Sequence, residues 1–381
     1  MFRSFKIAVL FCVVCFGGVV GAKAVIGEWS TATLPQARAY LSAASVGNQV
    51  FFAGGRDSSG KSSNVVDIYN TSTGMWSTVN LSQARWGIAM ASVGNRVFFG
   101  GGQADSGASN VVDIYDTSTG TWSLEHLSEA RWVPAATTVD NKVIFGGGGQ
   151  YSSSFGIVGI SDVVDIYDTS AGTWSVTHLS KARVGPSATS AGNMAFFGPG
   201  ESSSDRNVDI YNTSTGNWLS ADLSQARQFP LATTVGDRVF FGGGGSSSGP
   251  SDVVDIYDTS ANTWSVTHLS EPRNYFARAS AGGKVFFAGG NNGTLNAFSD
   301  VVDIYDTSTN LWSTATLSQA RSDLTATSAG NQVFFAGGYS GSGYVVSNVV
   351  DIYTIPEPST LILLGMGAIG VLAYAWRRRR A

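Results

Sequence analysis

A block of about 47 residues recurs seven times along the chain. Seven tryptophans mark it, at intervals of 47, 46, 52, 44, 46 and 48 residues: Trp29, Trp76, Trp122, Trp174, Trp218, Trp264 and Trp312. An arginine follows each tryptophan after nine residues: Arg38, Arg85, Arg131, Arg183, Arg227, Arg273 and Arg321. An apolar run ending in glycines comes next, and then a Val-Asp-Ile-Tyr segment with an aspartate in register: Asp67, Asp113, Asp165, Asp209, Asp255, Asp303 and Asp351. A fold for this chain must therefore be built from seven similar units.

The period and the composition both favour short strands. A period of this length is typical of propellers and solenoids, and each unit has room for four strands of five or six residues. The chain has 47 glycines, 12% aromatic and only 13% charged residues, which excludes an intrinsically disordered chain. Its two cysteines, Cys12 and Cys15, lie close to the N-terminus, so the repeats contain neither a disulfide nor a cysteine metal site.

The repeat resembles the kelch repeat, in which a glycine pair after an apolar strand precedes a Tyr and then a Trp. The resemblance covers about residues 26–354 and implies an all-β, seven-bladed β-propeller of kelch type. It departs from kelch in repeat four, where Gly198-Pro199-Gly200 replaces the glycine pair. The seventh repeat stops at Tyr353 without its Trp strand, and residues 26–33 could supply that strand. We therefore expect the N-terminal strand to close the ring.

The N-terminal end has the layout of a secretory signal peptide. Arg3 and Lys6 precede an apolar run, and Ala22-Lys23-Ala24 places small residues where cleavage would occur. We assign residues 1–24 to the signal peptide and residues 25–355 to the propeller. A retained helical anchor is the alternative.

The C-terminal end, residues 356–381, combines three features in order. Pro356-Glu357-Pro358 is followed by the apolar stretch 361–376 and then by Arg377, Arg378, Arg379 and Arg380. As a helix, this stretch would span roughly 24 Å, which is short for a transmembrane helix but possible with snorkelling arginines. The order resembles the PEP-CTERM sorting signal of Gram-negative bacteria. That resemblance implies an exosortase partner, transient anchoring by a C-terminal transmembrane helix, and delivery to the cell surface or the extracellular exopolysaccharide matrix; a plain anchor is the alternative.

The charge of the central part argues against nucleic acid as a partner. Seven of the 23 basic residues and one of the 27 acidic residues lie in the two ends, so residues 25–355 carry a net charge of −10. Such a body repels nucleic acid. We expect a monomeric propeller with no nucleic-acid partner.

Residues present in every repeat are expected to be structural. The repeated Trp and Tyr should fill the space between blades, and the repeated Arg and Asp should form paired scaffolding contacts. The three histidines lie on different repeats, so we predict no metal site and no cofactor. The sequence offers no nucleophile motif, and we predict no catalytic residues.

Binding is expected where the repeats differ, in the loops of one face. The candidate ligand-binding residues are aromatic: Trp86, Trp132, Tyr151, Phe229, Tyr275 and Tyr339. Aromatic faces at a channel mouth suit a neutral polar ligand such as a glycan, although the same rings could plug the channel as core. We therefore expect a non-enzymatic surface protein that binds polysaccharide or another envelope protein. The alternatives are a structural spacer and a carbohydrate hydrolase or lyase that uses carboxylates of that face. The candidate non-repeat acids are Asp57, Asp105, Glu201, Asp205 and Asp323, and their spacing alone does not pair them.

Overall fold

The computed structural model describes residues 27–152, 156–293, 298–341 and 343–356. These residues form strands and no helix, so the all-β prediction is confirmed. Accordingly, no helix within the described ranges is long and apolar enough to cross a bilayer. The predicted signal peptide, the predicted transmembrane segment, Glu357, Pro358 and Arg377 to Arg380 lie outside the described residues.

Within the described residues, the chain forms seven antiparallel sheets with the same four-strand order. We number them from the repeat that begins after Arg38. The inner strands are Ser42–Val46, Ala89–Val93, Ala135–Val139, Ala188–Ala191, Leu231–Val235, Ala277–Ala281 and Thr325–Ala329. The second strands are Gln49–Ala53, Arg96–Gly100, Lys142–Gly146, Met194–Phe197, Arg238–Gly242, Lys284–Ala288 and Gln332–Ala336.

The remaining strands complete the sheets and decorate their loops. The third strands are Val65–Asn70, Val111–Asp116, Val163–Asp168, Asn207–Asn212, Gly249–Asp258, Val301–Asp306 and Val349–Thr354. The outer strands are Met75–Asn80, Thr121–His126, Thr173–His178, Asn217–Asp222, Thr263–Arg273, Leu311–Thr316 and, for sheet seven, Glu28–Thr33. Short loop strands are Gln103–Ala104, Gly107–Ala108, Gly149–Ser152, Gly156–Ile160, Gly245–Ser246, Arg321–Ser322, Tyr339–Ser340 and Val345–Val346.

The first strand of the chain belongs to the last sheet. Glu28–Thr33 pairs antiparallel with Val349–Thr354, with Trp29 opposite Tyr353. The centroids of these two rings lie 5.0 Å apart. The Trp–Tyr pairs of the other sheets have nearly the same spacing, for example 4.9 Å between Tyr69 and Trp76. The segment expected to supply the missing strand therefore occupies that place.

The core lies between sheets rather than within them. Val-Phe-Phe segments of the second strands are fully buried, and successive side chains point to opposite faces, towards the two neighbouring sheets. Seven hydrophobic clusters of described residues each join two adjacent sheets. One joins sheet seven to sheet one through Phe334 and Phe52. Repeat tyrosines also reach across, as Tyr69 does to Phe334 at 5.7 Å. This arrangement fits a β-propeller.

A buried ion pair connects the loop and the third strand of every repeat. The guanidinium of each repeat arginine meets the repeat aspartate: Arg38–Asp67, Arg85–Asp113, Arg131–Asp165, Arg183–Asp209, Arg227–Asp255, Arg273–Asp303 and Arg321–Asp351. Arg85 Nη1 also donates to the carbonyls of Gly101 (2.6 Å) and Val111 (2.7 Å). Burial lowers the pKa of Arg85 to about 10, against the opposing effect of Asp113. The predicted scaffolding contacts are present, and they tie the inner loop to the second and third strands.

A candidate ligand-binding cavity

The loops that enter the inner strands of all seven sheets converge on one cavity of about 640 Å³, which we call the central cavity. That volume falls within the usual range of small-molecule sites. Its wall combines apolar side chains with a few polar ones, among them Arg56, Glu201, Arg278 and Asp323. The repeat arginine lies just before each loop, so the ion pairs hold the wall in place.

The position two residues after each repeat arginine has a left-handed backbone in all seven sheets. We call these the rim residues: Tyr40 (φ 54°), Gly87 (61°), Val133 (42°), Gly185 (60°), Phe229 (46°), Tyr275 (52°) and Asp323 (52°). Side chains other than glycine rarely adopt this conformation, and a β-branched valine is an outlier there. Because it recurs in every repeat, this turn belongs to the scaffold and fixes where each rim side chain lies.

The rim residues are joined from one sheet to the next. Asp323 N donates to the Tyr275 carbonyl at 2.9 Å, and Tyr40 N donates to the Asp323 carbonyl at 3.4 Å. The two rim glycines make room for a neighbour, because a Cβ on Gly185 would lie 2.8 Å from the ring of Phe229. One on Gly87 would lie 2.6 Å from Val133. The rim is therefore continuous and sterically specified.

Aromatic rings form an arc along one side of the cavity. Trp132 and Trp86 lie 5.3 Å apart, Trp86 and Tyr40 5.5 Å apart, and Tyr40 and Tyr339 5.6 Å apart. The guanidinium of Arg56 stacks over Trp86 at 4.2 Å. Trp86 is consequently only 9% exposed and belongs to the wall, whereas Tyr40 is 38% exposed.

On the other side, Phe229 and Tyr275 form a second aromatic pair. Their ring centroids are 6.3 Å apart, and Tyr275 is 49% exposed. The open aromatic faces at the cavity are therefore contributed mainly by two tyrosines, Tyr40 and Tyr275, on two different sides.

The structure brings together most of the residues selected from sequence. Trp86, Trp132, Phe229 and Tyr275 line the central cavity, and Tyr339 packs on its rim against Tyr40. Tyr151 lies in the short strand Gly149–Ser152, but its side chain lies outside the described part of the chain. Whether these residues bind a ligand remains a prediction.

Asp323 is the rim residue that carries a carboxyl group, and its acidity is perturbed. Burial raises its pKa to about 6, although Ser322 Oγ donates a hydrogen bond to its carboxylate at 2.9 Å. The negative charge of Asp323, added to burial, raises the pKa of the surrounding Tyr40, Tyr275 and Tyr339. A carboxyl group with these neighbours is available to donate or accept a proton near neutral pH.

Sequence reasoning missed two cavity residues, Tyr40 and Arg278. Tyr40 occupies the same register as Phe229 and Tyr275, so alignment of the repeats was the available signal. Arg278 lies five residues after Arg273, where five other repeats have alanine and repeat two has Met90. Its Nε donates to the carbonyl of Ala232 on the neighbouring inner strand at 2.8 Å.

The histidines lie away from the cavity. His178 and His268 lie on outer strands beside Asp162 (3.3 Å) and Asp252 (3.2 Å), and both imidazoles are exposed. In the part of the chain that the structure describes, no three His, Cys, Asp or Glu side chains gather in a way that could hold a metal ion.

Two family models match the chain. The KLHDC2/KLHL20/DRC7 Kelch-repeats domain matches residues 27–181 and again residues 134–338. The PEP-CTERM protein-sorting motif matches residues 354–380. This motif is a sorting signal recognised by exosortase and implies export with processing at the membrane. No curated protein matches the chain significantly.

Proposed function

The chain belongs to the kelch-repeat family, and from that membership and the geometry of the central cavity we propose that it is a non-enzymatic, exported propeller that binds polysaccharide. Its seven sheets are the blades, and Glu28–Thr33 closes the ring. Residues 1–24 direct export, and the C-terminal helix anchors the chain until exosortase acts on Pro356-Glu357-Pro358. The mature protein then resides at the cell surface or in the exopolysaccharide matrix.

The observation that carries this proposal is the pair of open tyrosine faces at a cavity of suitable size. Tyr40 and Tyr275 present 38% and 49% of their surfaces, and polar groups stand beside them in Asp323 and Glu201. Sugar rings stack their apolar faces on such aromatic side chains and direct their hydroxyls to polar neighbours.

Binding of the producing cell's own exopolysaccharide tests the proposal. We would compare residues 25–356 with Tyr275→Ala and with Leu219→Ala, which removes a 60% exposed side chain from an outer strand. We expect saturable binding that weakens at least about fivefold in Tyr275→Ala only, since stacking contributes roughly 1 kcal/mol or more. Equal binding by all three proteins, or binding of an envelope protein alone, would contradict it.

A carbohydrate-active enzyme is the second candidate, favoured by one observation. Glu201 and Asp323 both line the cavity, and burial together with the charges of Asp323 and Glu201 raises the pKa of Tyr275. Two carboxylates near one aromatic ring could serve as acid and base in glycan cleavage. For an enzyme, Glu201→Gln or Asp323→Asn should abolish turnover of the bound polysaccharide, whereas a binding protein shows no turnover in any variant.

A further inference from the structure

Arg278 is the one basic residue that the described inner strands contribute to the central cavity, and we call the inner-strand part of its lining the floor. The residue five positions after a repeat arginine lies on the inner strand, and in six of the seven repeats it lines the cavity: Ala43, Met90, Ala136, Ala188, Arg278 and Ala326. Only Met90 and Arg278 carry long side chains at this level. The Arg278 guanidinium therefore extends into a space that the alanines of the other repeats leave open.

Arg278 differs from the seven repeat arginines in having no carboxylate partner. Its one hydrogen bond within the described residues runs from Nε to the Ala232 carbonyl, and it takes part in no ion pair there. Burial lowers the pKa of this guanidinium, and no carboxylate lies near enough to oppose the effect. Arg278 is half-buried at the cavity, and a partly desolvated cation without a counter-charge costs free energy that a bound anion would recover in part.

The other charges at the cavity do not fill this need. Arg56 is engaged over Trp86, and Asp323 lies among the rim tyrosines with a hydrogen bond from Ser322. Glu201 lies at the wall and influences Tyr275 rather than Arg278. The terminal nitrogens of Arg278 form a planar fork that suits a carboxylate or a similar oxyanion.

We infer that the central cavity selects an acidic sugar, with a uronate carboxylate bound by Arg278 while the sugar ring packs on the rim tyrosines. This inference rests on the proposed polysaccharide-binding function and adds the ligand's charge. The rest of the body is acidic and repels polyanions, so capture depends on this one guanidinium. An acidic peptide would meet the same cation, but the open tyrosine faces favour a sugar ring.

The test uses residues 25–356, which contain every described strand and all seven hydrophobic clusters. The probes are oligomers of galacturonate, mannuronate and glucuronate, the methyl-esterified galacturonate oligomer, and a glutamate-rich peptide. Arg278→Ala should fold normally, because alanine occupies this position in five repeats. Met90→Ala is the matched control, since it shortens a floor side chain without changing charge.

At least one uronate oligomer should bind the wild-type protein. Its affinity should fall roughly 10- to 100-fold in Arg278→Ala, the usual effect of removing a charged hydrogen-bond partner. Met90→Ala should change the affinity by less than about threefold. Added salt should weaken uronate binding only in the proteins that retain Arg278. Equal binding of the acid and its ester by wild type and Arg278→Ala would overturn the inference while leaving polysaccharide binding intact. Binding of the peptide alone, or of no probe and no native exopolysaccharide, would overturn both.

Discussion

Replacing Asp323 with asparagine should stabilise the protein at neutral pH and not in acid. The raised folded-state pKa means that the carboxyl group holds its proton more tightly in the folded than in the unfolded chain. The stabilisation that comes from this bound proton is thus fully present below the unfolded pKa of about 3.9 and is lost as pH rises through the folded pKa of about 6. Above that pH the folded protein bears the cost of a buried charge. Asparagine keeps the shape, tolerates the left-handed backbone and carries no charge to desolvate.

The size of the effect follows from the pKa difference. A difference of about two units corresponds to about 2.7 kcal/mol. Asp323 is partly open to the cavity, and solvent there screens the charge. We therefore expect Asp323→Asn to raise the free energy of unfolding by about 1–2 kcal/mol above pH 7. The groups facing the carboxyl are Ser322 and the hydroxyls of Tyr40, Tyr275 and Tyr339, with Arg56 and Glu201 beside those tyrosines.

Urea unfolding of both proteins from about pH 4 to about pH 8 measures the difference directly. Asp140→Asn is the matched control, because Asp140 is an exposed aspartate that also has a left-handed backbone (φ 53°). Asp140→Asn measures how replacing aspartate with asparagine at a left-handed position changes stability when no charge is buried. A gain in Asp323→Asn that is independent of pH, or that grows towards acid pH, would refute the reasoning.

Three further predictions concern the scaffold. Asp113→Ala should lower the free energy of unfolding by about 3–5 kcal/mol, because it leaves the buried guanidinium of Arg85 without its counter-charge. Asp222→Ala, which breaks an exposed ion pair, should lower it by less than about 1 kcal/mol. Chemical denaturation measures both, and equal losses of stability would contradict this prediction. A chain of residues 34–356 should melt well below one of residues 25–356, since sheet seven loses its outer strand, and identical melting temperatures would exclude a closing role. Val133→Gly should raise stability by about 1 kcal/mol by relieving its left-handed backbone, and a loss of stability would show that side-chain packing outweighs strain.

Much of the fold could be predicted from sequence because the repeat fixes pairing. Each Trp and Tyr recurs at a constant spacing, and the structure places Trp29 opposite Tyr353 and Trp76 opposite Tyr69 in the same register. The equal numbers of repeat Arg and Asp likewise indicated partners, because buried charges need them. Periodicity carries this information locally, within one repeat.

The cavity could be predicted only in part because it is assembled between repeats. Aromatic residues after the repeat arginines indicated Trp86, Phe229 and Tyr275, but the left-handed rim backbone has no side-chain signature, since Val133 adopts it too. The environment of Asp323 depends on Tyr40, which lies far from it in sequence. Register alignment would single out Arg278, but only the structure reveals that no carboxylate faces it.

Hydrogen exchange with and without the producing cell's exopolysaccharide tests the central claim, that the central cavity is the binding site. Bound polysaccharide should slow exchange of backbone amides in the rim and inner-strand segments, such as residues 39–43, 274–278 and 322–326. The outer strands, such as Asn217–Asp222, should be unchanged. Protection confined to the outer strands, or saturable binding with no protection at the rim, would contradict the account.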